Sequence, residues 1–86
     1  MISKIFSIRD NKAGAFMQPF YMPNQAMAIR AISDCVSDQN HMFNKHATDY
    51  DLYYLGEFDD ASGKTTALET PEHVVSCVQL KSEGDE

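Results

Sequence analysis

With 86 residues the chain is one domain at most. A domain of this size buries only about 60–65% of its unfolded surface, so pairing with a second copy is a natural source of further burial. Its 43% hydrophobic and 23% charged residues mark a globular chain, and its formal charge of −6 speaks against a strong DNA binder unless cations are gathered in one place.

No run approaches the ~18 apolar residues of a membrane span. Met1-Ile2-Ser3-Lys4 opens without the apolar core of a signal peptide, so the chain is expected to stay where it is made. Under that expectation Cys35 and Cys77 read as thiols, although one disulfide is open on sequence grounds. Residues 1–30 carry Lys4, Arg9, Lys12 and Arg30 against Asp10 alone, a local balance of +3. Residues 31–80 carry Lys45 and Lys64 against nine acids, a balance of −7. This polarity suits a basic face opposed to one that repels phosphate.

Residues 2–9 alternate as a first strand, with Phe6 and Ile8 inward and Ser3, Ile5, Ser7 and Arg9 on the other face. Asp10-Asn11-Lys12-Ala13-Gly14 has hairpin-turn chemistry. Residues 15–21 form a second strand, placed at an edge or bent because Pro19 cannot donate to a ladder. Asn24 caps a helix running to about Asp38, with Ala28, Ala31, Ile32, Cys35 and Val36 on one stripe. Residues 39–50 read as a short helical turn plus a loop. A third strand spans 52–58, with Leu52, Tyr54, Gly56 and Phe58 on one face and Tyr53, Leu55 and Glu57 on the other. The turn at Asp59–Lys64 leads to a fourth strand over 65–68. Thr70-Pro71-Glu72 then reads as a helix start, with Val74, Val75 and Val78 inward and an end near Leu80. The order ββαββα gives an α+β fold with antiparallel hairpins, residues 1–80 as one domain and 81–86 as an acidic flexible tail.

No catalytic constellation stands out. His41 and His46 are five apart and miss the spacing of a zinc pair, and Asp59-Asp60 and Asp49/Asp51 do not follow a calcium loop. Gly63-Lys64-Thr65 lacks the first glycine of a phosphate loop. No metal and no cofactor is expected, and no enzyme activity. What the sequence does offer is a mix of cations and rings near its amino end. Lys4, Arg9, Lys12 and Lys64 are candidates to hold phosphates, and Tyr21 and Tyr53 to stack bases, as in a single-strand binder. The other aromatics are assigned to the core.

Three ordered blocks carry a resemblance. Lys4-Ile5-Phe6-Ser7-Ile8-Arg9-Asp10 with Lys12-Ala13-Gly14 and Gln18-Pro19-Phe20 is the first; Asp51–Asp60 with Gly63-Lys64 the second; Thr70-Pro71-Glu72-His73 the third. Together they resemble the small non-structural protein of gokushoviruses, the Microviridae phages with circular single-stranded DNA. The resemblance implies a non-enzymatic accessory in viral DNA replication, or in the switch to single-strand synthesis and packaging, with single-stranded DNA as its partner. It places the protein in the host bacterial cytoplasm and outside the mature virion. With few cations per chain, useful affinity calls for a homodimer or cooperative assembly. The alternative is an acidic interaction module that docks on a phage or host replication protein, or a procapsid scaffold, without touching DNA. Neither reading involves a membrane.

Overall fold

The computed structural model describes residues 1–84. Strand β1 (Ile2–Asp10) follows the period-two pattern, with Phe6 and Ile8 almost wholly buried, and pairs antiparallel with β4 (Tyr50–Asp59) along its length. Asp10 closes the first turn: its Oδ1 accepts the N–H groups of Lys12 and Ala13, and its carbonyl accepts that of Gly14, whose φ is 71°. The expected second strand is split into β2 (Ala15–Phe16) and β3 (Phe20–Met22), both on the outer edge of β1. Pro19 lies in the gap, where no ladder donor is needed. The gap is fastened to the sheet by the Ser7 hydroxyl, which donates to the Met17 carbonyl at 2.6 Å, and by the Met17 N–H, which donates to the Ile8 carbonyl at 2.8 Å.

Helix α1 (Gln25–Ser37) starts where expected. The Asn24 side chain accepts the Met27 N–H at 2.9 Å, and Ala28, Ile32 and Val36 fill the buried stripe. The polar stretch after it forms α2 (Met42–Lys45), capped by His41 Nδ1, which accepts the Phe43 N–H at 3.0 Å, and a 3-10 turn at Ala47–Asp49.

The carboxy-terminal third differs from expectation. Strand β5 runs Lys64–Ser76, straight through Thr70-Pro71-Glu72, and helix α3 begins only at Cys77 and ends at Gly84. The local helix-start signal loses to tertiary pairing. Val74 and Val75 are β-branched and favour a strand, and Val75 buries itself opposite Leu52. Pro71 is tolerated because β5 is an edge strand and because Leu68–Pro71 bulge out of the ladder between the pairs Gly56–Ala67 and Tyr54–Glu72. Of the three valines expected inward, only Val75 is buried; Val74 is half-buried and Val78 exposed. Lys81–Gly84, expected in a flexible tail, completes α3, and Lys81 Nζ donates to the Asn44 carbonyl at 3.0 Å. Asp85 and Glu86 lie outside the described residues.

The sheet order is β2/β3–β1–β4–β5, all antiparallel, so the α+β class holds. The helices cover one face, where Phe6, Ile8, Leu52 and Val75 meet Ala28, Ile32, Val36, Phe43, Cys77 and Leu80. Both cysteines are free thiols. On β4 an extra residue, Leu55, sits between Tyr54, opposite Phe6, and Gly56, opposite Ile5. That bulge corrects the expected face assignment. Tyr53 and Phe58, placed on opposite faces by simple alternation, come to the same one. Only glycine fits at the bulge: φ is 155°, and a Cβ on Gly56 would lie 2.2 Å from the Thr66 carbonyl oxygen.

Candidate nucleic-acid interface

The second face of the sheet carries Ser3, Ile5, Ser7 and Arg9 from β1, and no helix packs on it among the described residues. Three rings cross it in a row from one edge to the other. Phe16 on β2 meets Tyr53 on β4 with centroids 5.3 Å apart, and Tyr53 meets His73 on β5 at 5.4 Å. Both contacts are edge-to-face, with interplanar angles of 80° and 88°, a favoured arrangement for aromatic pairs. The Arg9 guanidinium lies 5.3 Å from the Phe16 ring centre. Further along the same face Tyr21 and Phe58 form a second edge-to-face pair, 5.8 Å apart, across the buried Ile5. Tyr21 is 52% exposed and Phe16 40%, so ring surface is available to a ligand.

One carboxylate lies within the row. Asp51 accepts the Asn11 amide at 2.5 Å and stands 3.3 Å from His73 Nε2, so its charge is already engaged. Of the other described acids, Asp34 and Asp38 sit at α1, Glu57 and Glu72 at ladder positions on the helix side, Asp59 and Asp60 at the β4–β5 turn, Asp10 and Asp49 beside the β1–β2 turn, Glu69 in the Leu68–Pro71 bulge and Glu83 in α3. Glu57 approaches the Tyr54 hydroxyl at 3.5 Å on the helix side. Burial, with help from Glu57 and Glu72, raises the Tyr54 pKa and keeps it a neutral phenol.

The residues picked out in the sequence divide accordingly. Arg9, Tyr21 and Tyr53 share the open face. Lys4 does not: strand alternation sends it to the helix side, where its Nζ lies 5.6 Å from the Tyr54 ring centre and Glu57 is its ladder partner. Lys64 sits opposite Asp59 at the mouth of the β4–β5 hairpin, at the other end of β4 from Arg9's ladder partner Asp51. Lys12 is in the β1–β2 turn. The mix of cations and rings expected near the amino end is therefore divided: the rings gather on one face with a single arginine, and the three lysines lie elsewhere. Phe16, Phe58 and His73 were missed. Phe16 was legible as the neighbour of Arg9 once the hairpin register is drawn. Phe58 and His73 were not, because one depends on the bulge at Leu55 and the other lay in a stretch with a helix-start signal.

Residues 3–80 match a family model described as Phage ORF5 protein. Neither a curated protein nor a solved structure matches the chain.

Proposed function

The chain belongs to the phage ORF5 protein family, and on that premise we propose that this phage accessory protein binds single-stranded DNA on the open face of its sheet, mainly by stacking bases on rings. The observation that carries the reading is the Phe16–Tyr53–His73 row with Arg9 beside it, on the face of the sheet opposite the helices. Stacking needs ring surface rather than net positive charge, so it is compatible with a formal charge of −6. A single-strand binder without catalytic groups fits a role in phage DNA replication, or in the switch to single-strand synthesis and packaging, in the host cytoplasm. The ordered blocks noted above point to the gokushovirus branch. Two copies would double the platform, which makes a homodimer the natural working form.

Titrating a labelled oligothymidine at about 50 mM salt tests the reading, because electrostatic contacts are strongest there. Saturable binding is expected, and its absence removes the proposal. The second reading, docking on a basic replication or procapsid partner, draws on the Glu57, Glu72 and Asp59 carboxylates away from the rings. Capture of a phage or host protein that is lost on charge reversal at Glu57 and Glu72, with no DNA binding at all, would favour it.

A further inference from the structure

At the end of the sheet nearest Arg9, a shallow cavity of about 310 Å³, broadly open to solvent, lies beside the β1–β2 turn, lined by Asp10, Lys12, Ala13, His46, Asp49 and Tyr50. Its size lies at the lower end of the roughly 300–1,000 Å³ of small-ligand pockets. Tyr50 is only 7% exposed, and its ring packs against Phe43 with centroids 4.9 Å apart, so its position is set by the core. Its hydroxyl makes no hydrogen bond among the described residues and is not sealed off, so it meets solvent through the cavity it lines. A polar atom on so buried a side chain ordinarily has a partner. Burial, then Asp10 and Asp49, raise the Tyr50 pKa, which keeps it a phenol able to donate. Asp10 commits Oδ1 to the N–H groups of Lys12 and Ala13, each at 3.1 Å, and retains Oδ2. The Asp49 carboxylate has no hydrogen-bond partner among the described residues. The wall thus offers two carboxylates and a phenol, with exposed Lys12 and His46 at the rim.

We propose that this cavity receives a guanine base of single-stranded DNA, with the guanine N1–H and N2 amino group donating to Asp49 and Asp10, Tyr50 donating to O6, and Lys12 holding a phosphate. The assignment follows from the pattern of donors. Among the four bases only guanine presents two adjacent donors on its pairing edge, followed by a carbonyl. Adenine and cytosine place a bare ring nitrogen beside the amino group, and thymine flanks its one N–H with carbonyls, each of which a carboxylate repels. The presence of Lys12 beside two acids favours a ligand that carries both donors and an anion. The inference rests on the open-face reading for its strand. Arg9 and Asp10 are consecutive on β1, so alternation turns one to the ring row and the other to the cavity at the same end of the sheet.

The test compares an all-thymidine oligomer of about a dozen nucleotides with the same oligomer carrying one central deoxyguanosine. Wild-type protein is expected to bind the guanine-containing strand about tenfold more tightly or better, the usual worth of one well-paired base contact. D49N and Y50F are expected to bring that ratio close to one while leaving the affinity for oligothymidine unchanged. Equal wild-type affinities for the two oligomers would overturn the pocket and leave the ring platform standing. Failure of both oligomers to bind would remove the platform. The pocket is then decided by titrating dGMP and dTMP into the full chain and following NMR shifts. Saturable shifts at Asp49 and Tyr50 with dGMP alone support it, and their absence overturns it.

Discussion

At the scale of single residues, Tyr53 carries the most weight. It is the middle ring of the row, in contact with both Phe16 and His73. Y53A is expected to weaken oligothymidine binding by about 1–3 kcal/mol, the usual cost of losing one stacking ring. K4A is expected to leave the affinity nearly unchanged, because Lys4 points to the helix side. Fluorescence anisotropy of the two variants side by side decides this, and a K4A loss equal to that of Y53A would place the strand on the other face. Gly56 is the strictest structural position. G56A sets a Cβ against backbone that cannot retreat and is expected to destabilise the fold by about 1–3 kcal/mol or more in urea unfolding. Burial pushes the Cys77 thiol up to about 12 from an ordinary value of 9.0. The folded state therefore holds its proton where the unfolded state releases it. That stabilising term is complete below about pH 9 and is lost as pH rises towards 12. C77A is expected to flatten the alkaline fall in stability measured by denaturant titration from pH 8 to 10.

At the scale of elements, α1 and β5 make opposite cases. Asn24, the stripe Ala28–Ile32–Val36 and the end near Ser37 all agree, so α1 forms where local chemistry places it. N24A is expected to cost about 1 kcal/mol, the worth of a side-chain cap. In β5 the local signal at Thr70-Pro71-Glu72 is a plausible cap, yet the chain stays extended. The reason is that one hydrogen-bonded cap contributes less than pairing Glu72–Ser76 with β4 and burying Val75 against the core. The irregularities of β5, at Val74 and at Leu68–Pro71, also interrupt its free edge and discourage end-on pairing with other chains. P71A should shift stability by no more than about 1 kcal/mol, since no ladder bond depends on that position, and a thermal melt checks it.

At the scale of the whole molecule, the charge asymmetry between the two ends of the sequence does not map onto two faces. The amino-terminal cations scatter: Lys4 to the helix side, Arg9 to the rings, Lys12 to a turn. What distinguishes the open face is the gathering of rings. Binding driven by stacking has a shallow salt dependence, because few counterions are released. The slope of log affinity against log salt is expected to be no steeper than about −1.5 per chain, as for two phosphate contacts at roughly −0.7 each. A slope several times steeper would mean a cationic surface that a single chain does not possess.

The sequence by itself determined the α+β class, the first hairpin, the inward face of β1 and the capped helix. Each of these rests on contacts or preferences within a few residues, or on a strict period of two or 3.6. Only the tertiary structure decided where β5 ends, which face Phe58 takes and that His73 joins Tyr53. Those outcomes turn on one extra residue at Leu55 and on pairing between segments some twenty residues apart. A single-residue shift in register inverts every side chain beyond it, and local pattern has no means of counting that shift.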